Sequence, residues 1–374
     1  MDQPATFGEQ LRRLRQQRGL SIRHLAKLAH HSKSVVWEWE SGLKVPTADV
    51  TGRLDQLLDG DGVLTAAAGQ LAQVNGHAER LAHVAAAPRT VDAASVDALA
   101  GILANLRRLE DSAGPGPLVA ATAGPLKLVE TLADEARGPL RPRVVDLAGQ
   151  WAQFAGWLRA ATGQSGKARD WYARTLEHAT EAGNRDLIAT SLSMRGNLAW
   201  MARQPGPVVG LSAAAADHAD SPGVRAMAEQ QQARGHAVLG EADQVERLLD
   251  RAERDMVLAA EHPEDAPPWI YFYSAGYLQM QRGLAYRLLG RTGDAIAALT
   301  AGLAETEEDV RSSEFVSVYV LHLAEEHLQA GNRDVGAQLL EQVRQVAAAT
   351  GSGRLAADVT QLARFRRPAP RDKG

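Results

Sequence analysis

The chain has 374 residues, 45% of them apolar, enough to bury the cores of two or three domains. It has no cysteine, which excludes disulfides, thiolate zinc sites and cysteine nucleophiles and fits a reducing compartment. The net charge of −4 hides an asymmetry: residues 1–46 carry eight Lys/Arg and four acids, the remainder is −8, and so the N-terminal end is the one suited to a polyanion. The first residues lack the apolar core of a signal peptide, and no apolar run approaches the roughly 18 residues of a membrane span. A cytoplasmic protein with no membrane partner is the expectation.

Helical spacing of apolar residues runs through almost the whole chain, with no convincing strand alternation, so an all-α fold is expected. A first helix runs from about Phe7 to Arg18 and stops at Gly19. Ser21 can cap a second, through Ala29, and Ser32 a third that ends near Ser41–Gly42. Pro46–Thr47 opens a fourth, through about Leu58. The turn Gly60-Asp61-Gly62 leads into an Ala-rich helix, and residues 87–90 (Ala-Pro-Arg-Thr) form a break. Helices near 91–111 and 118–136 are separated by Gly114-Pro115-Gly116-Pro117, and the stretch Gly138 to Pro142 breaks the chain again.

From about residue 143 a pattern recurs, clearest at Arg282–Leu299: a small residue, an aromatic three later, a Gly turn, then a second amphipathic helix. Aligned turns fall at Gly163, Arg203, Gly240, Gly290 and Gly331, spaced 40, 37, 50 and 41 apart. Seven residues before each stands Gly156, Gly196, Ala233, Gly283 or Ala324, where a short side chain lets helices approach. The long spacing contains an insertion around His262–Pro268. The expected organisation is a head (1–62), a helical connecting region (63–142), a helical-repeat domain (143–366) and a disordered tail (367–374).

In the head, Leu11, Leu14, Leu25, Leu28, Val36, Trp39 and Leu54 can form one small core. That leaves the third helix free to present Lys33, Ser34, Trp37 and Glu38 on its other face, and a helix of this width fits the major groove of DNA. Lys33 can donate to guanine, Glu38 can accept from cytosine, and Ser34 can do either. Trp37 either faces DNA or packs against the first helix. His30 and His31, adjacent in a turn, make a poor metal site, and no metal or cofactor is expected.

The residues Leu11–Arg15, Gly19–Ser21, Leu25–Ala26, Ser32–Gly42 and Pro46–Thr47 strongly resemble the helix-turn-helix of the XRE family, the group of the lambdoid phage repressors. The resemblance implies phosphate contacts from Arg23 and Lys44 and a structural pair between Arg15 and Glu40. Ile22 departs from it, since the family has a polar residue there. It also implies a homodimer on double-stranded DNA with an inverted-repeat operator.

The repeats resemble tetratricopeptide units, elongated beyond the usual period of about 34 residues. In such a solenoid the first helix of each repeat lines a concave face. Counting back from the turns places Gln153, Trp157, Asn197, Trp200, Gln230, Arg234, Tyr277, Met280, Arg287 and Glu325 on it. Arg234 and Arg287 can then grip a carboxylate, the amides a peptide backbone, and Trp157, Trp200 and Tyr277 an apolar part. The alternative is that these aromatics only fill helix contacts. XRE heads joined to tetratricopeptide bodies include bacterial peptide-pheromone receptors, so a peptide or small-molecule effector is expected. A solenoid that binds a partner protein is the second reading. No phosphate loop, nucleophile elbow or His-Glu-x-x-His motif is present, so an enzyme is not expected.

Overall fold

The computed structural model describes residues 6–306, 313–350 and 352–364. Among these there are helices and turns and no strand. The chain divides into two compact units, residues 1–90 and 91–374, with the division at the expected break after Thr90.

The first unit contains α1 (Phe7–Gln17), α2 (Ile22–Leu28), α3 (Lys33–Glu40), α4 (Ala48–Leu58) and α5 (Val63–Ala86). Local chemistry sets their starts. Thr6 and Glu9 form a reciprocal capping box on α1, Ser21 accepts from the amide of His24, and Ser32 from that of Val35. Gly19 and Gly42 close α1 and α3 with φ of +64° and +73°. His30, at φ +57°, makes the turn between α2 and α3.

Phe7, Leu11, Leu14, Leu25, Ala26, Val36, Trp39, Leu54 and Leu58 pack into one core. Leu28 does not join it and is 39% exposed, because Ala26 and Ala29 supply the buried side of the short α2. The core extends past residue 62 to Leu64 and Ala68 of α5. Gly62 gives α5 no side-chain cap; the Asp55 carboxylate of α4 accepts from the amides of Leu64 (3.0 Å) and Thr65 (2.7 Å) instead.

The contact between α1 and α3 is unusually close. A Cβ on Gly8 would lie 2.7 Å from the Glu40 carbonyl oxygen. Beside it, Arg15 holds the Glu40 carboxylate bidentately, Nε to Oε1 at 2.5 Å and Nη2 to Oε2 at 2.9 Å, with both side chains buried. This hydrogen bonding raises the arginine's pKa against the opposing effect of burial.

In the second unit, α6 (Ala93–Ala113), α7 (Pro115–Ala121) and α8 (Ala123–Glu135) all pack on α9 (Arg141–Ala161). The Gly-Pro-Gly-Pro stretch separates two helices at Gly114, and its remaining residues start α7, since Pro115 occupies a first-turn position where no amide donor is needed. Helices then alternate as α10 (Ser165–Ala182), α11 (Arg185–Met201), α12 (Pro205–His218), α13 (Pro222–Val238), α14 (Ala242–Glu261), α15 (Ala275–Leu288), α16 (Thr292–Ala304), α17 (Glu314–Gln329), α18 (Arg333–Thr350) and α19 (Gly353–Arg364). From α9 to α18 each odd-numbered helix packs against the even-numbered helix after it, and each even-numbered helix against the next odd one.

This is a helical repeat-like body, and its register follows the small residues. Gly163, Arg203, Gly240, Gly290 and Gly331 all have positive φ. A Cβ on Gly156 would meet the Tyr172 ring at 2.4 Å, and one on Gly283 the Leu299 side chain at 2.6 Å, while Ala233 and Ala324 are fully buried. In the insertion, Trp269, Ile270 and Tyr273 fold into the core, and the Trp269 indole donates to the Thr190 hydroxyl at 2.9 Å. The expected tail, 367–374, lies outside the described residues.

Removing one partner of a buried ion pair typically costs about 3–5 kcal/mol. Glu40→Ala should therefore cost the head that much, read in the full chain as lost hydrogen-exchange protection of α1 and α3. Unchanged protection would show that the pair does not hold these helices together.

Candidate nucleic-acid interface and polar body face

The exposed face of α3 is set by what its other face must bury. Val36, Trp39 and Glu40 are buried, so Lys33, Ser34 and Trp37 point to solvent, and the Trp37 ring is 50% exposed. Trp37 thus stands out of the core, whereas Trp39 lies in it with the His31 ring edge-on at 4.9 Å. Arg23 is exposed on α2. Ile22, the departure from the family pattern, packs against the core.

Glu38 and Lys44 are not independent. The Lys44 ammonium lies 2.8 Å from the Glu38 carboxylate across the turn at Gly42. Base reading by Glu38 and phosphate contact by Lys44 would each require that pair, half-buried at Glu38, to open. Arg12, Arg15 and Arg18 also face acids, Glu40 for the first two and Asp59 for the third. Arg13, Arg23, Lys27 and Lys33 have no acidic partner among the described residues, so their charge is available to a polyanion.

A helix buried on one face, held at its C-terminal end and cationic at its free end can enter a groove of DNA. Residues 6–68 match the helix-turn-helix domain family. The head is a helix-turn-helix DNA-binding domain. The match ends inside α5, at the same Ala68 that completes the head's core. No curated protein matches the chain.

In the body, the odd-numbered helices bring several expected residues together. The Arg234 guanidinium lies 4.5 Å from the centroid of the Trp200 ring and donates to Asn197 Oδ1 at 3.1 Å. Gln230 donates to Gln281 Oε1 at 2.9 Å, and Gln281 donates to the hydroxyls of Tyr277 (2.9 Å) and Tyr319 (2.7 Å). Tyr277 stacks on Phe315 with centroids 5.4 Å apart. Tyr319 and Gln281 were not among the expected residues, although Phe315 and Tyr319 are spaced i, i+4 on α17.

Other expected residues go elsewhere. Met280 is core, packed with Leu299, Tyr319 and Leu323. Arg287 is neutralised by Glu325 and, at 3.3 Å, by Glu326. Gln153 is buried.

Trp157 hydrogen-bonds Glu110, on the last turns of α6. Tyr271 binds the same turns, donating to Asp111 Oδ2 (2.8 Å) and the Arg107 carbonyl (3.1 Å). Nothing in the sequence pointed to these contacts, because α6 lies outside the repeats.

Burial pushes the Glu110 carboxyl up to about 7; the Trp157 hydrogen bond opposes this, and the charges of Asp111 and Glu314 add to it. The native state therefore keeps a proton that the unfolded chain releases at the ordinary carboxylate value. The resulting stability is present below that value and is lost as pH rises to about 7. Glu110→Gln should gain on wild type across that window by about 3 kcal/mol at most. Thermal melts of both proteins from pH 5 to 8 check this; a constant gap would contradict it.

Proposed function

We propose that the protein is a sequence-specific transcriptional regulator that reads an inverted-repeat operator as a homodimer. In this reading the helical body senses a small molecule or peptide, holds the dimer, or does both, and the protein works by binding and not as an enzyme. The observation that carries it is α3, which presents Lys33, Ser34 and Trp37 to solvent from a helix buried on its opposite side. Base-edge contacts from Lys33 and Ser34 supply specificity, and Arg23 adds a sequence-independent phosphate contact.

A single recognition helix reads few base pairs, which is why two heads are invoked. An effector switches such a protein only if it binds two arrangements of the dimer with different affinity. The absence of any helix long and apolar enough to cross a membrane, among the described residues, agrees with a cytoplasmic DNA-bound protein.

Selection from random duplexes with the full chain should return half-sites whose centres lie about 34–36 Å apart. Lys33→Ala should cost about 1–3 kcal/mol at particular base positions. Arg23→Ala should weaken all sequences alike and flatten the salt slope by about 0.9. A selection that returns no preferred sequence contradicts the reading; a tight single half-site contradicts only the dimer.

A further inference from the structure

Arg234 differs from Arg225, Arg282 and Arg287, the other arginines of α13 and α15, in lacking an acidic partner. Arg225 is paired with Asp255, Arg282 with Asp250, Glu253 and Glu246, and Arg287 with Glu325 and Glu326. Arg234 has no carboxylate within ion-pair distance among the described residues. Its Nη2 donates to Asn197 and, at 3.4 Å, to Gln231, and its buried Nε has no acceptor. A guanidinium has five donors in a planar fork and accepts nothing, so most of this one's capacity is unused. Arg107 also lacks a carboxylate, but it is 5% exposed and donates to the Gln150 carbonyl, whereas Arg234 still reaches solvent.

The groups around Arg234 are neutral. Asn197, Gln230 and Gln281 supply amides, and Trp200, Tyr277 and Tyr319 supply rings. Burial lowers the arginine's pKa, as expected for a cation taken out of water without a counter-charge. Trp200 also lines a cleft of about 410 Å³ with Met201, Arg203, Gln204, Pro205 and Val238.

We propose that Arg234 is the anchor of a binding site for a monocarboxylate carried on a flat apolar group, an aromatic acid. The planar fork of Arg234 matches a planar carboxylate, which it can hold bidentately. The rings and the cleft suit the apolar part. This narrows the expected two-arginine grip to one, because Arg287 already has its carboxylates. The proposal rests on the reading of the body as a sensor.

The test uses the full chain with phenylacetate and indole-3-acetate, their uncharged amides, and a pentapeptide ending in Phe with a free or an amidated C-terminus. Binding is read by calorimetry and by quenching of tryptophan fluorescence. At least one carboxylate should bind saturably in the millimolar range or tighter, and its amide at least about tenfold more weakly. Arg234→Gln should abolish that preference while melting at or above wild type, because it removes an uncompensated charge. A purely structural arginine would instead lower the melting temperature on substitution and leave binding unchanged.

Binding of the free-ended peptide alone would assign the carboxylate to a peptide terminus. Failure of every carboxylate to bind, equal binding of acid and amide, or unchanged binding by Arg234→Gln would overturn the proposal. Carboxylate binding with no effect on operator affinity would leave the site standing and remove the sensor reading.

Discussion

A carboxylate taken out of water needs its donors close by, and that requirement ties α3 to α1. Glu40 is 5% exposed, and Arg15 satisfies both of its oxygens from two turns into the neighbouring helix. Gly8 lets the two backbones approach to a distance that no side chain would permit, and Arg12 adds a longer contact to the Glu40 carbonyl at 3.4 Å. These contacts all grip the C-terminal end of α3. Its first turn, with Lys33 and Ser34, is left projecting, as a helix must be if its N-terminal residues are to reach base edges. The pair therefore fixes the orientation of α3 and leaves its first turn free.

The body solves its packing differently. Its helix pairs close on small residues at the crossings, Gly156 against Tyr172 and Gly283 against Leu299. Tight packing there excludes large side chains from one side of the odd-numbered helices. The polar and aromatic residues gather on what remains, linked through Gln230, Gln281 and Tyr319 into a continuous network. The other arginines of α13 and α15 all have acidic partners, and that background gives the missing counter-charge of Arg234 its meaning. A cation left unsatisfied in the free protein costs stability, and bound ligand can repay that cost as affinity.

Local chemistry made much of this legible before the structure. Caps at Ser21 and Ser32 and the glycines that close α1 and α3 depend on a few adjacent residues, and they lie where the sequence puts them. The turns at Gly163, Arg203, Gly240, Gly290 and Gly331 were found by register alone, and even the non-glycine Arg203 adopts the left-handed conformation. What the sequence hid depends on distance between elements. Periodicity put Leu28 in the core, but a seven-residue helix had Ala26 and Ala29 to bury instead. The Gly-rich turn before α5 read as a boundary, since nothing local shows that Asp55 caps the helix from nine residues away. Likewise the partners of Arg287 and Lys44, and the arrival of Glu110 beside Trp157, are set by tertiary contact and leave no trace in period or spacing.

The central claim is that the first turn of α3 enters the major groove. Because the chain has no cysteine, Ser34→Cys would carry its only thiol, and an iron chelate attached there cleaves DNA wherever the residue sits. On the selected operator, the full chain should cut in narrow windows across the major groove of each half-site. Cleavage spread evenly along the duplex, or centred on a minor groove, would contradict the account.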